Sequence, residues 1–196
     1  MPKSIDALPS IEARDPAVWR AWLRRHHRSA PGVWLVYHKQ ASATPSVRYD
    51  EAVREALCYG WIDSLVRAMD ATRYRQLFTP RKAGSTWSPW NKRRVAALVA
   101  EGRMTKAGLA KVEAAKADGT WETLDAVETL KVPADLRHAL AAEGDALRNF
   151  RGFAASPRKG MLYWLASAKR PETRARRLAK LVTYAAAHTS AREFLP

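Results

Sequence analysis

The sequence predicts an α+β protein, with a small mixed or antiparallel sheet and helices in its first part and a helical C-terminal part. Three observations carry this expectation. Val33-Trp34-Leu35-Val36-Tyr37-His38 is apolar on both alternating sets, as in a strand covered on both sides. Two further alternating stretches, Trp61 through Leu65 and Thr72 to Pro80, flank a turn near Met69-Asp70-Ala71 and read as a hairpin. From Ser85 onwards strand signals fade, and prolines, acidic starts and glycine stops punctuate a series of helices.

Taken in order, Asp15-Pro16 is an N-cap and first-turn proline ahead of a helix expected to bury Val18, Trp19, Trp22 and Leu23. The doubly covered strand follows Gly32, and a loop of Ala, Ser, Thr and Pro leads from it to a second helix. There Asp50 is the expected cap, Ala52, Val53, Ala56 and Leu57 form the buried stripe, and Gly60 is the left-handed stop. Trp61-Ile62-Asp63 then reads as a strand that points Trp61 and Asp63 to one face. In the returning strand Tyr74, Gln76 and Phe78 alternate with Arg73, Arg75, Leu77 and Thr79.

Ser88-Pro89 opens a helix that Gly102 stops, and Thr105 caps another that Gly119 stops. Residues 120–132 carry no clean period and read as a linker. Four short helices are expected after it: Pro133 to Ala142, Asp145 to Phe153, Ser156-Pro157 to Ala168, and Pro171 to about Ala187. The expected division is an α+β domain over 1–120 and a helical domain over 133–196, packed as one compact unit.

Composition narrows the function classes. Cys58 is the single cysteine, so a disulfide framework within the chain is excluded, and its apolar flanks suit an inert buried thiol. The first residues lack a charged region followed by an apolar core, and no run approaches the ~18 apolar residues of a membrane span, so the expected location is cytoplasmic. There is no nucleophile elbow, HExxH, CxxC, P-loop or GxGxxG, and His26-His27 points its rings about 100° apart on a helix; no cofactor and no metal are expected.

The formal net charge is +15, and the excess is concentrated between residues 65 and 118. A field of this sign attracts phosphates, nucleic acid and acidic groups. Lys92 and Arg93 with Arg94 crowd the start of the Ser88 helix, where the helix dipole disfavours cations, and Arg81 and Lys82 lie just upstream. An anion held at that helix end would offset the cost; a solvated basic face is the plainer alternative.

Several ordered motifs carry a family resemblance. Cys58-Tyr59-Gly60-Trp61-Ile62-Asp63, Phe78-Thr79-Pro80-Arg81, Trp87-Ser88 with Asn91, Glu101-Gly102-Arg103-Met104, and the closing Ala168-Lys169-Arg170-Pro171-Glu172-Thr173-Arg174-Ala175-Arg176-Arg177 are similar to the YdeI/OmpD-associated, or bacteriocin-protection, family over nearly the whole chain. The resemblance implies a link to stress and antimicrobial-peptide tolerance and, in some bacteria, to an outer-membrane porin. It brings no catalytic residues.

The candidate site is therefore an aromatic-lined, anion-accepting pocket between the Tyr59–Asp63 turn and the Thr79–Asn91 segment. Arg81, Arg93 and the helix end at Ser88 and Asn91 would hold charge; Tyr59, Trp61 and Trp87 would wall the pocket; His38, Asp63 or Thr79 would meet a polar group. Its expected occupant is a small anionic or aromatic ligand. Asp63 has a structural alternative, pairing with Arg73 or Arg75 across the hairpin. Two other classes remain. Nucleic acid would use Lys92, Arg94 and the stripe Arg170, Arg174 and Arg177, and a small-molecule enzyme would use His38 and Asp63 as acid and base.

Overall fold

The structure, a computed structural model, describes residues 4–168, 170–191 and 194. The chain divides into two units, Met1–Ser85 with Trp90–Asp118 and Thr86–Pro89 with Gly119–Pro196. Among the described residues no helix is long and apolar enough to cross a membrane.

The first unit is built on a four-stranded mixed sheet of order β1-β2-β4-β3. Its strands are β1 (Ser10–Glu12), β2 (Val33–His38), β3 (Trp61–Ala68) and β4 (Arg73–Pro80), and its helices are α1 (Pro16–His26), α2 (Tyr49–Cys58), α3 (Pro89–Ala100) and α4 (Lys106–Ala117). β1 runs parallel to β2, and the remaining pairs are antiparallel. β2 pairs on both edges, and cover on both faces explains its apolar run, which is buried from Val33 to Tyr37. β1 has only three residues and no alternating pattern of its own; it exists because β2 offers it an edge.

The register divides the side chains between two faces. Leu35 stands opposite Gln76, Tyr37 opposite Tyr74, and Asp63 opposite Phe78, so these residues share one face. The helices α1 and α2 pack there, with the Trp19 ring edge-on to Phe78 at 5.3 Å and the Trp19 indole N–H donating to the Ala52 carbonyl at 3.0 Å. Trp34, His38, Arg73, Arg75, Leu77 and Thr79 share the other face. Leu8 and Leu77 pack on Trp34, and the Arg75 guanidinium lies 4.4 Å from the Trp34 ring centre.

Local chemistry sets the helix ends. Asp15 caps α1 through the Val18 N–H, as expected, although Val18 itself is exposed and Trp22 only half-buried. The expected cap of α2 is corrected: Arg48 is the N-cap residue and Glu51 accepts its N–H at 2.9 Å. Asp50 instead lies inside the helix and pairs with Arg94. Gly60 ends α2 at φ +74°, a backbone conformation that only glycine adopts at no steric cost. The Cys58 carbonyl at this end accepts from both the N–H and the hydroxyl of Thr105, at 3.1 and 2.7 Å, which ties α2 to the start of α4.

The second unit is helical. Its elements α5 (Asp125–Glu128), α6 (Ala134–Ala141), α7 (Ala146–Gly152), α8 (Ala155–Ala166) and α9 (Pro171–Ala187) enclose a core that includes Leu136, Leu140, Phe150, Met161, Leu165 and Leu181. The four expected C-terminal helices are present, α9 with its expected bounds. The expected linker is not a plain linker, because Leu124 and Val127 enter the same core around α5.

Candidate functional site

The first unit contains a hollow of about 700 Å³ at the C-terminal end of β2, enclosed by the connection to α2 and by the first residue of that helix. Three tyrosines reach it from three elements: Tyr37 from β2, Tyr74 from β4 and Tyr49 from α2. The rings of Tyr37 and Tyr74 are stacked, with centres 4.9 Å apart and planes within 8°, because the strand register places them opposite each other. Lys39, Thr44, Ser46 and Arg48 supply polar groups around them. Ala43, in the same connection, holds φ +55°, a strained value for a residue with a side chain.

The polar groups beside the stack are connected. Asp63 Oδ2 accepts from the Tyr49 hydroxyl at 3.0 Å and from Gln76 Nε2 at 2.8 Å. The Tyr37 hydroxyl is buried and has no hydrogen-bond partner among the described residues. Burial, then the neighbouring Tyr74, Asp63 and Tyr49, push the Tyr37 phenol far above the ordinary tyrosine range, so it remains an O–H donor at any working pH. Burial, followed by Asp63, also raises Tyr49. A buried hydroxyl without a partner costs about 1–3 kcal/mol, which a ligand or water meeting it would recover. Lys39 Nζ donates to the Ala71 carbonyl at 3.0 Å, and Arg48 makes no ion pair among the described residues.

The residues expected from sequence to form the site are dispersed. Trp61 is 1% exposed and donates its indole N–H to the His27 carbonyl, so it is core where a pocket wall was expected. Tyr59 is buried beside His27, with the Arg20 guanidinium over its ring. Arg81 is buried, its Nη1 facing the Ser85 carbonyl at 3.5 Å. Trp87 and Ser88 cluster with the second unit, where Trp87 is sealed against Trp121. Asn91 accepts from Arg94, and Arg93 lies 4.3 Å over the ring of the exposed Trp90. Lys92 is half-buried near the start of α3.

His38 and Asp63, the expected acid/base pair, point to opposite faces of the sheet, His38 toward Glu12 at 3.3 Å and Asp63 toward Gln76. They do not share a cavity, and this corrects the reading of them as one catalytic pair. Thr79 lies on the His38 face, away from Asp63. Nor does Asp63 pair with Arg73 or Arg75, which bind Asp70 with Glu12 and Asp6 respectively.

The basic stripe of α9 is largely engaged within its own unit. Arg174 binds Asp135 at 2.8 Å, Arg177 donates to the Trp164 carbonyl and Ser167, and of the three Arg170 is the exposed one. Lys169 lies outside the described residues. No group of three or more His, Cys, Asp or Glu among the described residues could hold a metal ion.

His38, expected in a pocket between the Tyr59–Asp63 turn and the Thr79–Asn91 segment, lines this hollow instead, and sequence reasoning missed Tyr37, Tyr49 and Tyr74 as a group. Their spacing has no periodic signature, and only the β2–β4 register unites the first and last.

Comparison with known families finds two matches, one in each part of the chain. Residues 11–111 match a domain of unknown function, DUF8412, over more than half of the sequence. The chain belongs to the DUF8412 family. Its helical part, residues 129–188, matches the family described as bacteriocin-protection, YdeI or OmpD-associated. That family is therefore found in the C-terminal part rather than over nearly the whole chain, and of the resembling motifs only the one spanning Ala168 to Arg177 falls within it. The tyrosine-lined hollow lies wholly in the DUF8412 part. No curated protein and no solved structure matches the chain.

Proposed function

We propose that this DUF8412 protein is a non-enzymatic, cytoplasmic binding protein of the bacteriocin-protection type, serving stress and antimicrobial-peptide tolerance by holding a small anionic or aromatic ligand in the hollow at the end of β2. The observation that carries this reading is the Tyr37 hydroxyl, buried without a partner among the described residues, beside the Tyr49–Asp63–Gln76 chain of hydrogen bonds. A fold that needed Tyr37 only for packing would be served by phenylalanine, which has no hydroxyl to desolvate. The volume of about 700 Å³ falls in the range of small-ligand sites, about 300–1,000 Å³. The separation of His38 from Asp63 by the sheet favours binding over acid/base chemistry.

A fragment library screened by two-dimensional protein NMR tests it. Shift changes should collect on residues 37–49 and 74 and weaken in Tyr37→Phe. Fragments that leave these residues unmoved would remove the reading.

One observation favours a second reading, nucleic-acid binding by stacking: Trp90 is 67% exposed and carries Arg93 on its face.

A further inference from the structure

The chemistry of the hollow narrows its ligand, and this step rests on the binding reading above. We propose that the ligand is a small flat aromatic ring bearing an acidic group. Tyr37 and Tyr74 already form a parallel stack, and Tyr37 covers one side of Tyr74. Tyr74 is nevertheless half-buried and lines the hollow, and the exposed Tyr49 lines it as well, so aromatic surface borders it from two further elements. Aromatic rings favour offset-stacked or edge-to-face contacts, so a hollow bordered by three tyrosines suits a flat aromatic ring.

Charge supplies the second half of the argument. The lining contains Lys39 and Arg48 and no carboxylate. Three acids bond to lining residues, each committed where it stands: Glu51 to the Arg48 backbone N–H, Asp63 Oδ2 to Tyr49 and Gln76, and Glu12 to His38. Arg48 is exposed and makes no ion pair among the described residues, so its planar fork is available to a carboxylate or phosphate. Thr44 and Ser46 line the same hollow, their hydroxyls donating to the Ser42 and Val47 carbonyls, and each oxygen keeps acceptor capacity for a polar substituent on the ring.

An aromatic carboxylate and a nucleoside monophosphate both offer a ring with an acid, and calorimetry on the full chain separates them. The probes are 4-hydroxybenzoate, adenosine monophosphate, inorganic phosphate and benzyl alcohol. At least one ring-bearing acid should bind with Kd below ~1 mM, with phosphate and benzyl alcohol at least about tenfold weaker. Whichever acid binds more tightly assigns the source.

Arg48→Ala, a change at an exposed side chain, should weaken the ring-bearing acid about tenfold and leave benzyl alcohol unaffected. Tyr74→Leu should weaken it by a similar factor, and Tyr74→Phe, which keeps the stack, should retain binding. Equal affinity for phosphate or for benzyl alcohol, with NMR shifts in the hollow, overturns the ring-with-acid proposal and leaves the binding reading standing. Absence of binding by both ring-bearing acids overturns the proposal as well, and the fragment screen then decides the binding reading separately.

Discussion

A methyl group at position 108 would stand 2.3 Å from the Cys58 carbonyl oxygen, closer than any side chain tolerates. Gly108 therefore sets how near α4 comes to the end of α2, and the neighbouring backbone at Cys58 has no flexible tip that can yield. Gly108→Ala should destabilise the first unit by about 1–3 kcal/mol or more in urea unfolding, through overpacking. Gly160 makes the contrast, since nothing lies within 4 Å of a β-carbon built there and it sits inside α8. Gly160→Ala should stabilise by about 0.5–1 kcal/mol. Glu55 is a second position of this kind, 2% exposed and bound by Arg20 at 2.7 Å and by Arg103. Its two partners are each about one-third exposed, so water would re-solvate them after Glu55→Ala. The expected loss is about 1–3 kcal/mol, the worth of charge-assisted hydrogen bonds rather than of a stranded buried charge.

At the scale of elements, several carboxylates lie below their ordinary range. The Arg174 guanidinium holds Asp135 down across α6 and α9, Arg54 holds Glu101 down, and the Val18 N–H holds Asp15 down at the start of α1. The unfolded chain titrates these groups near ~3.9–4.3, and the folded values are lower. Their stabilisation is thus complete above that range and is lost as pH falls through the folded values. Urea midpoints measured at pH 7 and pH 3 should show the drop, and Arg174→Gln should make it smaller. The elements themselves were largely legible, because caps and stops such as Asp15-Pro16, Thr105 and Gly60 act locally. β1 and the α2 cap were not, since one depends on a neighbouring strand and the other on which of two acidic residues turns back toward the chain. The candidate site was still less legible: rings marked by their unusual number, Trp61 and Trp87, are sealed, and the hollow uses tyrosines that strand pairing assembles.

For the molecule as a whole, a net charge of +15 guarantees attraction to polyanions, yet Arg94, Arg174 and Arg177 are held by groups of their own unit. Binding to single-stranded DNA should therefore be weak and should fall by orders of magnitude between about 50 and 200 mM salt. Trp90→Ala should reduce it at low salt if the exposed ring is a platform, by ~1–3 kcal/mol per stacked base. An unchanged affinity would end the nucleic-acid reading. Ligands of the hollow should lose far less over the same salt range, because one or two cations meet them.

Cys58 is the single sulfhydryl of the chain, fully buried at the end of α2, and burial pushes its pKa upward. It offers a built-in clock without any engineering. A thiol reagent can react only after that region opens, so the labelling rate reports how often the DUF8412 part breathes. An occupant of the hollow that steadies α2 would slow the clock, and one that binds elsewhere would leave it running at the same pace.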